Sequence, residues 1–190
     1  MMHRQDFQYF IVPGLNGSDD QHWQTQWEHL NPDWIRIEQD DWSVPDINRW
    51  SRRVSQVLDR SSRPPIVVAH SFGCLATIHA ITLRESWVAG ALLVAPAEPK
   101  KFGLDVLFES MKIDCTSILV ASENDPWMRS HRAQYWAKLW GADLINIGAK
   151  GHINAHSNLG KWEQGLDILA ELTSSIATSD ISDHTSKGDR

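Results

Sequence analysis

Short apolar, β-branched runs alternate along the chain with stretches in which apolar residues recur every three or four positions. This is the pattern of strand–helix units wound around a mostly parallel sheet. The runs place strands at Phe7 to Val12, Trp34 to Glu38, Ile66 to His70, Gly90 to Val94, Ser117 to Ala121 and Leu144 to Ile147. Between them, Ile47, Trp50, Val54, Val57 and Leu58 keep helical spacing behind Asp46, a side chain suited to cap a helix N-terminus. Ala133, Trp136, Ala137 and Trp140 do the same behind Ser130. The stretch Phe72 to Leu83 is apolar on every side, which predicts a helix buried from most directions. Trp23 with Trp27, and Trp136 with Trp140, stand four apart and read as packing residues. After Leu172 the chain turns to Ser, Thr and Asp, with little to bury, and a disordered tail over 173–190 is expected. There is no internal repeat, so one α/β domain over 1–172 is expected, a three-layer αβα sandwich around a six-stranded, mostly parallel sheet.

Composition narrows the class. With 190 residues, 42% hydrophobic and 22% charged, the chain is long enough for a sizeable core. No apolar run approaches the roughly 20 residues that span a bilayer. The first apolar stretch ends at Pro13-Gly14, too short for a signal-peptide core. Two cysteines, Cys74 and Cys115, lack zinc-ligand spacing, and so few in a chain this size predict a reduced, cytoplasmic setting. A formal net charge of −6 without a basic patch argues against nucleic acid as a partner. No histidine pair or acidic cluster has the spacing of metal ligands and no glycine-rich phosphate loop is present, so neither metal nor cofactor is expected.

The chemistry is concentrated at strand ends. Ala69-His70-Ser71-Phe72-Gly73 follows one strand and opens the buried helix, the setting of a nucleophile elbow. A serine there stands on a sharp turn where a base can reach its hydroxyl, which requires small residues two positions away on each side. Gly73 meets that requirement, and Ala69 departs from the usual glycine by one methyl. Asp125, in Ser122-Glu123-Asn124-Asp125-Pro126, follows the fifth strand, and His152, in Lys150-Gly151-His152-Ile153-Asn154, follows the sixth. The order Ser, Asp, His is that of α/β-hydrolases, and all three lie beyond carboxyl ends of strands, where such sheets bind ligands. Glu98, after the fourth strand, is the alternative acid. His70 should point away from the Ser71 hydroxyl, and His22, His131 and His156 suit loops or caps. The backbone N–H groups of Phe72 and of Leu15, in the Pro13-Gly14-Leu15-Asn16-Gly17-Ser18 loop, are candidates for an oxyanion hole. Asn16, Trp42 and Trp127 are candidates for substrate contact.

With these residues in view, the chain resembles the retinoblastoma-binding protein 9 family of small serine hydrolases, especially its bacterial branch, from about Phe7 to Leu172. The resemblance is carried by Pro13-Gly14-Leu15-Asn16-Gly17-Ser18 with His22-Trp23, Asp41-Trp42 before Pro45, the VVAHSFGCLA segment, Leu92-Leu93-Val94-Ala95-Pro96-Ala97 and Gly151-His152-Ile153-Asn154. It implies a lidless hydrolase core, the catalytic assignment Ser71, Asp125 and His152, and hydrolase activity, but no particular substrate; a small-molecule ester or amide is the substrate expected from the residues. The namesake's Leu-x-Cys-x-Glu binding motif is absent, since Cys115 stands in Ile113-Asp114-Cys115-Thr116-Ser117, and that protein partner is not implied. Expected, therefore, is a serine hydrolase of small carboxylic esters; an amidase or peptidase with the same residues, or a non-catalytic binding module on the same fold, are the alternatives. Only Ala95 to Thr116 separates the fourth and fifth strands, too little for the helical cap of lidded relatives, so compact, short-acyl substrates are expected.

Overall fold

The computed structural model describes residues 6–83 and 88–185. Six strands, β1 (Gln8–Val12), β2 (Ile35–Arg36), β3 (Pro65–His70), β4 (Gly90–Val94), β5 (Thr116–Ala121) and β6 (Asp143–Asn146), form one sheet. Their spatial order is β2-β1-β3-β4-β5-β6, and every pairing is parallel. The strands fall where the apolar runs place them, except that β2 keeps only two residues. It is an edge strand joined to the sheet through Phe10↔Ile35 and Ile11↔Arg36, with one further bond from the Ile37 N–H to the Ile11 carbonyl at 2.8 Å.

The two-residue period of the strands divides the core into two layers. On one face Phe10, Val12, Val67, Ala69, Leu93 and Leu119 pack beneath α2 (Ile47–Leu58), α3 (Phe72–Leu83) and α5 (Ser130–Trp140). On the other, Tyr9, Ile11, Ile66, Val68, Leu92 and Val120 meet α1 (Trp23–Leu30) and α6 (Glu163–Thr185). Parallel crossovers are right-handed, and the chain steps outward from β1 to β2, then back across β1 to β3, so α1 and α2 must lie on opposite faces. That reversal opens a crevice beyond the carboxyl ends of β1 and β3, the place where open α/β sheets take ligands.

The all-round apolar helix is α3, in which every residue from Phe72 to Ile81 is buried. The Asp46 carboxylate caps α2 by accepting from the N–H groups of Asn48 and Arg49. At α5 the expected cap, Ser130, is the first helical residue, and Arg129 occupies the cap position without a side-chain bond. Between β4 and β5 lie only a 3-10 turn, Pro99–Phe102, and the five-residue α4 (Asp105–Glu109).

The C-terminal region differs from expectation. Helix α6 continues past Leu172, and Ile176 is 7% exposed. Composition over 173–190 is polar, but Ile176 follows Ile168, Leu169 and Leu172 on one helical stripe and reaches β4, where a Cβ added to Gly90 would lie 2.6 Å from its Cδ1. Residues 186–190 of the expected tail, and residues 1–5 and 84–87 of the expected domain, lie outside the described residues. Among the described residues no helix is long and apolar enough to cross a membrane.

Candidate active site

Ser71 occupies the single residue between β3 and α3, with a φ of 54° that non-glycine residues seldom adopt. The turn is held from several sides: the Ser71 N–H donates to the Val94 carbonyl at 3.1 Å, and the Ser71 carbonyl accepts from the N–H groups of Cys74 at 3.0 Å and Ala97 at 3.1 Å. The need for a small residue at position 73 has a specific cause. A Cβ there would lie 2.4 Å from the carbonyl oxygens of both Val12 and Pro13, so the end of β1 crosses directly over the first turn of α3. At Gly14 a Cβ would lie 2.7 Å from the Ser71 Cβ, which is how closely the first loop approaches the serine. Ala69 is fully buried and its extra methyl is part of the core.

The ends of β5 and β6 bring Asp125 and His152 to this serine. The His152 Nε2 is 2.9 Å from the Ser71 Oγ, and its Nδ1 is 2.9 and 3.0 Å from the two Asp125 carboxylate oxygens. The backbone N–H of Trp127 also donates to Asp125 Oδ1 at 2.8 Å, so the buried carboxylate is fixed by its own turn as well as by the imidazole. Glu98, the alternative acid, is engaged elsewhere: it accepts from Arg132 Nε and Nη2 at 2.9 and 3.0 Å and from Trp136 Nε1 at 3.0 Å. Burial raises its pKa, but the hydrogen bonds from Arg132 and Trp136 outweigh that and leave it below the usual carboxylate range.

The loop carrying His152 is held by His70, which points away from the Ser71 hydroxyl as expected, and by Trp23, which helical spacing assigned to packing. His70, on the opposite face of β3 from the core beneath α3, donates from Nε2 to the His152 carbonyl at 2.9 Å. Trp23 donates from its indole to the Ile153 carbonyl at 2.7 Å, pinning a β-branched residue whose φ is 48°. The loop bearing Asp125 contributes two more ties: Ser122 Oγ accepts from the Lys150 N–H at 2.8 Å and Asn124 Oδ1 from the Gly151 N–H at 2.7 Å. Helical periodicity identifies Trp23 as buried, but nothing in the sequence says which carbonyl its N–H reaches. His22 is an N-cap, accepting from the Gln24 N–H on Nδ1, with its ring 4.8 Å from that of His70.

Ser71 and His152 open into a cavity of about 380 Å³ whose walls include Leu15, Asn16, Phe102 and Trp127. Trp127 is 56% exposed, and its ring lies 6.3 Å from that of His152. Trp42, expected in the wall, is placed elsewhere. Its ring packs edge-on against Trp50 and over Gly17, and its carbonyl accepts from the Asn16 N–H at 2.8 Å, so it supports the first loop from behind. The N–H groups of Leu15 and Phe72 donate to no other group among the described residues. The Phe72 ring is buried between Trp50 and Phe102. Cys74 is buried one turn beyond Ser71, where burial pushes its thiol pKa well up, and its Sγ donates to the Val94 carbonyl. Among the described residues no three His, Cys, Asp or Glu side chains are grouped to hold a metal ion.

A family model described as serine hydrolase matches residues 9–171. Among solved structures, a YdeN-like hydrolase from Pectobacterium atrosepticum is 41% identical, with a TM-score of 0.87 over 90% of this chain and 93% of its own. The ydeN gene product of Bacillus subtilis is 20% identical with a TM-score of 0.71, over 88% of this chain and 98% of its own. At 11% identity an esterase from Rhodococcus shares the fold, with a TM-score of 0.64 over 90% of this chain and 92% of that one. No curated protein matches at the level of sequence. The sheet, its helical layers and these neighbours define an α/β-hydrolase fold without a cap, and the chain belongs to the serine hydrolase family.

Proposed function

We propose that this serine hydrolase cleaves small carboxylic esters through an acyl-enzyme formed on Ser71, with His152 as base and Asp125 as its orienting acid. The observation that carries the reading is the unbroken chain from Ser71 Oγ through His152 to Asp125, each link at 2.9–3.0 Å. In that geometry His152 Nε2 takes the Ser71 proton as Oγ attacks the ester carbonyl and returns it to the leaving alkoxide. Asp125 fixes the tautomer with the proton on Nδ1 and stabilises the imidazolium that forms. Water then attacks the acyl-enzyme by the same steps. The N–H groups of Leu15 and Phe72 receive the oxyanion: neither has another acceptor among the described residues, and Phe72 opens a 12-residue helix whose dipole favours negative charge. Asn16 and Trp127 contact the substrate. One domain carries the whole site, and two free thiols, at Cys74 and Cys115, support a reducing, cytoplasmic setting. The motifs shared with the retinoblastoma-binding protein 9 family support a place within that branch.

A fluorophosphonate probe tests the nucleophile without knowledge of the substrate. Wild-type protein should label and Ser71→Ala should not, and p-nitrophenyl acetate turnover should fall by roughly three to six orders of magnitude in Ser71→Ala and in His152→Ala. Turnover near the wild-type rate in purified, folded Ser71→Ala would refute the mechanism.

A further inference from the structure

The cavity at Ser71 does not end at Trp127. A second hollow of about 600 Å³ lies beyond it, and the two share Glu98, Lys101 and Trp127 as lining residues. The charge at that junction is one-sided. Glu98 is neutralised by the two-pronged Arg132 guanidinium, whereas Lys101 forms no ion pair among the described residues. Lys101 is held in place all the same: its ammonium lies 4.6 Å from the centre of the Trp127 ring and donates to the Pro126 carbonyl at 3.2 Å. An ammonium has three donors, so two remain for another acceptor. Farther out, Lys100 and Arg129 are likewise without ion pairs among the described residues, and Arg129 sits at the uncapped N-terminus of the 11-residue α5. Asp105 and Glu109 face the same hollow on α4, leaving four cations against three carboxylates within it. This balance stands out in a chain of net charge −6, whose overall field repels anions.

We propose that the junction at Lys101 is a subsite for an anionic group, a carboxylate in the first instance, on the leaving-group side of the ester. The side is set by His152, which must protonate the departing oxygen and whose ring is 6.3 Å from the Trp127 ring at the junction. This inference rests on the ester-hydrolase reading of the site and goes beyond it in naming what the alcohol or phenol half carries. Trp127 supplies a flat apolar face for that half, and Lys101 meets its charge with Arg129 behind it.

Two acetyl esters of matched size separate the cases: 4-acetoxybenzoate, with an anionic leaving group, and 4-acetoxybenzamide, its neutral counterpart. The quantity read is the ratio of their kcat/KM values within each protein, so that a general loss of folding or catalysis cancels. Wild-type enzyme should favour the carboxylate by about tenfold or more, the scale of one charge-assisted hydrogen bond. Raising the ionic strength should reduce the preference. Lys101→Gln should bring the ratio close to one, Lys101→Arg should keep most of it, and Arg129→Gln should lower it less than Lys101→Gln. Turnover of both esters at equal rates by wild-type enzyme, or a preference indifferent to Lys101→Gln, would overturn the subsite while leaving the hydrolase reading intact. Failure to turn over either ester would sink both.

Discussion

Three imidazoles stand in a row behind the Ser71 hydroxyl, and their environments separate their roles. His152 lies between Ser71 and Asp125; its ring is 4.9 Å from that of His70, which in turn is 4.8 Å from that of His22. Burial holds His70 well below the ordinary histidine pKa, and its donation to the His152 carbonyl requires a proton only on Nε2. Burial likewise lowers His22 to about 4, against the opposing pull of Asp19, and its Nδ1 is engaged as an acceptor. Both therefore stay neutral where a free histidine titrates, and a row of charges never forms beside the base. The consequence for stability has a definite sign. Between pH 6.5 and about 4 the unfolded chain binds protons that the folded chain refuses, so folding stability should fall as the solution is acidified through that window. His22 alone accounts for on the order of 3 kcal/mol when the window is crossed in full, and His70 acts in the same direction. Urea unfolding followed at pH 7, 5.5 and 4 measures this; a flat profile, or one unchanged in His22→Asn, would show that His22 is protonated in the native state without penalty.

Among the elements, those whose burial is complete were the most legible in the sequence. β3 and β4 are covered on both faces and read as unbroken apolar runs; α3, covered all round, read as a helix without an amphipathic face. The edges were less legible, because there a side chain's fate depends on what another element brings to it. β2 is two residues rather than five: of the expected run only Ile35 and Arg36 pair with β1, and the Ile37 N–H adds one last bond to Ile11. α6 is the larger departure: within a segment rich in Ser, Thr and Asp, Ile176 continues the stripe of Leu172, and Gly90 on β4 leaves the space it fills. Ile176→Ala should therefore cost about 2–4 kcal/mol, the usual range for truncating a buried isoleucine. Chemical denaturation distinguishes the outcomes, because a loss below about 0.5 kcal/mol is what an exposed position would give and would mean that the segment after Leu172 contributes nothing to the core.

At the scale of the molecule, substrate range follows from what stands over the sheet edge. Between β4 and β5, where lidded relatives carry a helical cap, there are only a 3-10 turn and the five residues of α4. The cavity of about 380 Å³ at Ser71 lies near the small end of ligand sites and has charged and polar walls as well as Leu15, Phe102 and Trp127. Each acyl methylene that found apolar cover would gain roughly 0.8 kcal/mol, or about fourfold in kcat/KM. Across p-nitrophenyl esters from acetate to palmitate the gain should therefore stop before about eight carbons, where the chain leaves the cavity. A specificity constant that keeps climbing to palmitate would reveal a long apolar channel and contradict an uncapped site.

The sequence by itself determined what depends on local periodicity and chain order: six strands, the buried helix behind Ser71, and the placement of Ser71, Asp125 and His152 after the ends of the third, fifth and sixth strands. A parallel sheet brings all such ends to one edge, so chain order alone was enough to put the three residues together. Tertiary structure decided what depends on distances between segments far apart in the chain. It put Asp125, and not Glu98, on the imidazole, because Arg132 and Trp136 come from α5 to occupy Glu98. It turned Trp42 behind the first loop, where Trp50 receives it, and it gave the Trp23 indole the Ile153 carbonyl, 130 positions away. It also opened the second hollow beyond Lys101. A hydrogen-bond donor or a large ring in the sequence has many partners open to it, and only the packing of whole elements selects one.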